Sequence, residues 1–296
     1  MKRAATVVVM LAVAAIAAAQ QAAPTQQNPA GQAAAGAQAP PPQGKRPPQA
    51  KTQPEFDAYK AAAATTDPAA MEKAADDFAA KFPDSELRIL LYKTDMRSYQ
   101  NANNASKMSE LAEKVLKLDP DDPEALIGAS EVIAERTRDT DLDKEQRYDQ
   151  ATKYAQHALQ TIDTDVTIPP GTPPEKVAAY KSLMQSSAYS ILGTIYFNQE
   201  KYPDAENYLR KSIDAYTAQP DPVVVLRLAI TLDKQGKYPE ALKQANTAVD
   251  LTQESSSAGT LARRERDRLL QLTGGSAPSP ATKPPAGTPP PSNPPH

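Results

Sequence analysis

The sequence predicts an all-α fold: antiparallel helical hairpins stacked into an α-α superhelix, with a disordered tail at either end. Three observations predict it. Residues 191–213 (ILGTIYFNQEKYPDAENYLRKSI) and 227–249 (RLAITLDKQGKYPEALKQANTAV) are two copies of one pattern at a shift of 36 residues. Self-similarity at that period marks a repeat array, in which no unit buries its apolar face alone. Between about residues 54 and 272, apolar residues recur at spacings of three and four, the period of one helix face. Prolines stand at the starts of these periodic stretches or between them, where a missing N–H costs little.

In chain order, Lys2 and Arg3 precede an apolar run that ends in Ala17-Ala18-Ala19 before Gln20. A basic start, a short apolar core and small residues at the end fit a secretory signal peptide over 1–19. The alternative is a retained membrane anchor, for which a run of about 16 residues falls short of the roughly 20 that a spanning helix needs. The sequence holds no Cys, which rules out an N-terminal lipidated cysteine, disulfides and thiolate metal sites. The mature protein is expected to be periplasmic or secreted, with no lipid anchor and no integral span after cleavage.

Residues 20–53 are rich in Gln, Ala and Pro, and residues 273–296 in Pro, Ser, Thr and Gly. Neither stretch has enough apolar surface to offset the entropy of ordering, so both are expected to be disordered. The helical domain, 54–272, divides into hairpins at about 54–83, 85–119, 123–162, 175–217 and 222–251, with a capping helix at about 258–272. Phe56 and Tyr59 open the first. Asp67-Pro68 starts its second helix, which carries Met71, Ala75 and Phe78, and Pro83-Asp84-Ser85 ends it and caps the next. Ile89, Tyr92, Met96 and Tyr99, then Met108, Leu111, Ala112 and Val115, make the second hairpin. Leu126, Ala129 and Ile133 face Ala151, Ala155 and Ala158 in the third, across a turn lengthened by the mostly charged residues 138–146. Residues 161–174, TIDTDVTIPPGTPP, read as a non-helical insertion.

In the two matched copies, Leu192, Gly193 and Tyr196 lie on one helix, and Tyr202-Pro203 opens the return helix with Ala205 behind it. The mid-helix Gly193 implies a close approach of the partner helix, expected at Ala205. Leu228, Gly236, Tyr238 and Ala241 repeat the plan, with Gly236 in the turn and Glu200 at the corresponding place of the first copy. These residues resemble the tetratricopeptide repeat. Ala229 and Leu232 depart from its usual Gly and Tyr, and both copies lack its closing Pro. Residues 118–126 (LDPDDPEAL) look like its inter-repeat junction, and residues 78–86 (FAAKFPDSE) resemble the inter-repeat turn of bacterial envelope members. In residues 261–272 Leu261, Leu269, Leu270 and Leu272 offer a narrow apolar face, and Arg263, Arg264, Glu265, Arg266, Asp267 and Arg268 the charged outside, as a terminal cap requires.

Catalysis finds no motif. The chain has two His, no Cys and no Trp, and no nucleophile elbow, zincin, P-loop or dinucleotide signature. No cofactor or metal is expected. A net charge of −3 and acids interleaved among the arginines of residues 263–268 argue against nucleic acid. The resemblance implies a non-catalytic scaffold that holds a protein or peptide in the concave groove of its superhelix. By position within the resemblance, the partner-binding candidates are Lys93, Arg97, Glu131, Glu135, Ser190, Thr194, Asn198, Ile230 and Lys234. The competing reading is an envelope structural or tethering protein that works through its Pro-rich tails.

Overall fold

The computed structural model describes residues 44–274. The expected signal peptide, most of the Gln/Ala/Pro-rich segment and all but the first two residues of the C-terminal tail lie outside them. Among the described residues there are eleven helices and no named strand: α1 (Gln53–Ala63), α2 (Pro68–Lys81), α3 (Arg88–Asn101), α4 (Ala105–Leu118), α5 (Pro123–Arg136), α6 (Lys144–Asp165), α7 (Pro174–Asn198), α8 (Tyr202–Ala215), α9 (Pro222–Lys234), α10 (Tyr238–Asp250) and α11 (Ser257–Leu272). None is long and apolar enough to cross a membrane.

Side-chain caps fix most of the helix starts. Asp67, Asp122 and Asp221 accept from the backbone N–H of Ala70, Ala125 and Val223, with Pro following in each case. Such a cap supplies about 1 kcal/mol while Pro pre-sets the first turn. Thr52 and Glu55 form a reciprocal capping box on α1. Ser85 does not cap α3 as expected: that helix begins at Arg88, and the Ser85 hydroxyl accepts from Leu87 N–H and donates to Glu55.

Three of the turns inside hairpins share one backbone motif. Asn103, Glu200 and Gly236 adopt positive φ of 53°, 59° and 73°. In each, the next N–H reaches back five residues: Asn104 to Tyr99 O at 2.9 Å, Lys201 to Tyr196 O at 2.9 Å, Lys237 to Leu232 O at 3.0 Å. This left-handed helix stop favours Gly, and Glu200 occupies it against its steric preference. Glu200→Gly is expected to raise stability by about 0.5–1 kcal/mol, since relief of the left-handed strain exceeds the added chain entropy. A denaturant titration against wild type checks it.

The hairpins stack in register with sequence. Each helix packs on the next one, and the odd helices also pack on one another across units: α1 on α3, α5 on α7, α7 on α9 and α9 on α11. No comparable contact joins successive even helices among the described residues. The odd helices therefore form the inner layer and the even helices splay outside, the geometry that gives such an array its concave face. The core is a row of small clusters, from Ala62, Phe78, Leu91 and Met96 at one end to Val225, Ala248 and Ala262 at the other.

Four expectations change. Helix α6 begins at Lys144, inside the expected charged turn, and runs to Asp165, into the expected insertion. Ile162, fully buried, continues the Ala151, Ala155, Ala158 face, so burial carries the helix to where Pro169 and Pro170 stop it. On α11 the buried face is Ala258, Ala262 and Leu269, while Leu261 and Leu272 are about half exposed. A Cβ on Gly193 would meet not Ala205 but Leu209, one turn farther along α8, at 2.7 Å from Cγ, 2.8 Å from Cδ2 and 3.2 Å from the backbone N. Leu209 is completely buried and has nowhere to move. Gly193→Ala is expected to cost about 1–3 kcal/mol by overpacking, read as a lowered melting temperature. Finally, residues 44–52, placed by the sequence reading within the disordered segment, have defined contacts. Lys45 N–H donates to Val166 O at 3.2 Å and pairs in a parallel bridge with Thr167, and Arg46 reaches Glu86 at 2.8 Å.

Candidate functional site

The inner layer carries the residues expected to meet a partner, and the structure divides them. Lys93 and Arg97 lie one turn apart on α3 and face the start of α5. Asp122, the N-cap of α5, accepts from Ala125 N–H at 2.9 Å with one oxygen and from Lys93 Nζ at 2.6 Å with the other. Glu124, in the first turn of α5, lies 3.3 Å from Lys93 Nζ and accepts from Arg97 Nη2 at 2.6 Å and from Arg97 Nε. Its Oε2 is 3.4 Å from the hydroxyl of Tyr180 on α7. One polar seam thus joins three successive inner helices.

The electrostatics of the seam follow from burial and pairing. Burial opposes the Glu124 charge, but Lys93 and then Arg97 outweigh it and hold the carboxyl down at about 2. Burial likewise opposes the Lys93 ammonium, and Glu124 and Asp122 overcome it, raising Lys93 above the ordinary lysine range. Burial, with Glu124 beside it, pushes the Tyr180 phenol up to about 12.

This arrangement corrects the assignment of Lys93 to partner binding. Its side chain is 9% exposed, and its charge is directed at Asp122 and Glu124 within the chain. Arg97 keeps about half its side chain in solvent while its guanidinium grips Glu124. Thr194 is also largely buried. Its hydroxyl donates to Ser190 O at 2.8 Å and accepts from Arg227 Nη1 of α9 at 2.8 Å, a second tie between inner helices.

The remaining candidates are spread along the layer. Glu131 and Glu135 are on α5, with Glu131 3.5 Å from Gln100 Nε2 of α3. Ser190 is half-buried and Ile230 packs against the last core cluster. Asn198 and Lys234, the last residues of α7 and α9, are exposed. The structure brings together Lys93 and Arg97, and it leaves the α5, α7 and α9 candidates one helix apart from each other. The repeat-motif residues are placed as follows. Leu192, Ala205, Leu228 and Ala241 are buried, Tyr196 stacks on Tyr208 at 5.3 Å, and Tyr202 meets Phe197 edge-on at 5.8 Å. Tyr238 is 38% exposed.

A group that the sequence did not single out is Asp95 on α3. It is completely buried, and neither carboxylate oxygen has a hydrogen-bond partner. Glu72 and Asp76 of α2 and Lys107 and Lys114 of α4 surround it, but those four pair with each other: Lys107 with Glu72 at 2.9 Å and Lys114 with Asp76 at 2.7 Å. The Tyr99 and Tyr92 hydroxyls donate to Glu72 and Asp76 in turn. Burial, reinforced by Glu72, pushes the Asp95 carboxyl up to about 7. Its position at i+3 from Tyr92 and one residue before Met96 was the available signal. Among the described residues no group of His, Asp and Glu is placed to hold a metal ion.

No curated protein matches the chain. Among solved structures it is similar to YrrB, a TPR protein with an unusual peptide-binding site, at 16% identity over 68% of this chain and 85% of that one, with a TM-score of 0.44. It is also similar to a thermophilic TPR protein of Thermus thermophilus, at 15% identity over 73% of this chain and 99% of that one, with a TM-score of 0.43. Residues 186–218, the second half of α7, the turn at Glu200 and all of α8, match the family model described as Tetratricopeptide repeat. With that repeat at its centre and hairpins of like build on both sides, the chain is an all-α solenoid of tetratricopeptide-like units.

Proposed function

We propose that this protein is a non-catalytic scaffold that binds a protein or peptide along its inner helical layer. The observation that carries the reading is the continuous inner layer itself, in which α5, α7, α9 and α11 pack side by side across units. The polar seam at Glu124 and the Thr194–Arg227 tie hold neighbouring inner helices together. A rigid concave surface loses little entropy on binding, which is where a repeat array gains affinity. The exposed ends at Glu135, Asn198 and Lys234 supply the polar rim of that surface. We further propose that the chain is exported to the cell envelope, on the strength of Lys2, Arg3 and the apolar run that follows.

The test is affinity capture by the full chain from its own cells, followed by mass spectrometry, beside a variant carrying Asn198→Arg and Lys234→Glu. The scaffold reading expects one defined protein with the parent chain, lost in the variant while the melting temperature stays within a degree or two. Equal capture by both chains would place binding elsewhere, and N-terminal sequencing of the exported protein tests cleavage near Gln20.

A further inference from the structure

Outside the inner layer, the loops that join one hairpin to the next form an edge, and residues 44–51 lie along it. At the α6–α7 junction, Lys45 N–H donates to Val166 O at 3.2 Å and Lys45 pairs in parallel with Thr167. At the α4–α5 junction, Lys45 Nζ meets Asp119 at 2.6 Å, with Asp165 at 3.8 Å on the other side. At the α2–α3 junction, Arg46 Nη2 reaches both Glu86 oxygens at 2.8 and 2.9 Å, Gln49 N–H donates to Glu86 at 3.2 Å, and Lys51 Nζ donates to Asp84 O at 2.8 Å. The segment is thus held through a glycine that lets the backbone approach and two adjacent cations, followed by the Pro47-Pro48 pair. A Cβ on Gly44 would fall 2.7 Å from Val166 O and 2.9 Å from Ile168 Cδ1, so only glycine seats there.

The hold is light. The ion pairs are solvent-facing, with side-chain exposures of 42% for Lys45 and 60% for Arg46, and such pairs contribute about 0–1 kcal/mol each and weaken with salt. A single backbone hydrogen bond joins the segment to Val166. Pro47 and Pro48 favour the extended conformation before docking, which lowers the entropy lost on binding.

We propose that this junction edge is a docking track for an extended basic peptide of the Gly-Lys-Arg-Pro-Pro type, and that residues 44–51 are its resident occupant, displaceable by a partner presenting the same chemistry. The track reads charge through Asp119, Asp165 and Glu86, and it reads backbone through Val166. It is separate from the inner layer, so it stands or falls independently of the groove reading. In the resting chain it is self-occupied, and a partner's peptide gains access only in competition with the arm.

The probe is a fluorescent peptide of residues 43–52, followed by anisotropy with the full chain. Two full-chain variants open the track by different means: Lys45→Glu with Arg46→Glu removes the charges, and Gly44→Val blocks seating of the arm without changing charge. Each is expected to bind the peptide at least tenfold more tightly than wild type, with affinity falling as salt rises. Adding Glu86→Lys and Asp119→Lys to either is expected to abolish binding, and a peptide with Val for its glycine is expected to bind at least tenfold more weakly. If the charge-reversed arm fails to fold, Gly44→Val carries the test alone. The proposal is overturned if the folded arm variants bind no better than wild type, or if binding survives the Glu86 and Asp119 reversals.

Discussion

Replacing Lys93 with methionine is expected to lower stability by about 3–5 kcal/mol, because it takes the ammonium away from two buried carboxylates and leaves Asp122 with the Ala125 N–H and Glu124 with Arg97 alone. Methionine matches the lysine stem in length, so the loss reports charge rather than packing. The pH dependence fixes the cause. Glu124 is held at about 2 in the fold against 4.5 as its ordinary value. A carboxyl lowered in this way contributes stability above its unfolded value, and that contribution is lost as pH falls from about 4.5 toward 2. The deficit of Lys93→Met against wild type is therefore expected to be largest near neutrality and to narrow in acid. Removing both partners, Lys93→Met with Glu124→Met, is expected to cost less than the sum of the single changes, the signature of direct coupling. Additive losses with no pH dependence would show the seam to be ordinary packing.

Asp95→Asn is expected to act in the opposite sense. An aspartate in an unfolded chain titrates near 4, whereas Asp95 in the fold is pushed up to about 7. Between those values the native state holds a proton that the unfolded state has lost, so the native contribution of Asp95 falls as pH rises and levels off above about 7. An amide in its place does not titrate. The stability of Asp95→Asn relative to wild type is expected to improve by about 2–4 kcal/mol between pH 4.5 and 7.5, measured by denaturant titration at each pH. Parallel profiles for the two proteins would show that the carboxylate finds a partner in solution.

Much of the architecture was legible because it depends on short-range rules. The 36-residue shift, the Asp-Pro starts at Asp67 and Asp122, and the three-and-four spacing of Ala151, Ala155 and Ala158 each act within one helix or turn. What was missed depends on how helices meet. Ala205 and Leu209 lie one turn apart on the same face of α8, and only the crossing point decides which of them covers Gly193. Lys93 and Arg97 look like an exposed basic face until Glu124, 31 and 27 residues away, folds down beside them. Asp95 reads as one polar residue among others until α2 and α4 close over it. The arm at 44–51 has the composition of a disordered segment and is positioned by acids in three different junctions. No local pattern records those partners. Exposure on an inner helix is set by the superhelical packing rather than by the residue, which is why Lys93 is buried and Lys234 exposed.

The most direct test of the scaffold account is photo-cross-linking in the cell from single positions on the two layers. A photoreactive residue in place of Lys234, at the end of inner helix α9, is compared with one in place of Lys243 on outer helix α10; both side chains are exposed. The account predicts one defined polypeptide cross-linked from position 234 and none from position 243. Equal cross-linking from both positions, or cross-linking from position 243 alone, would contradict it.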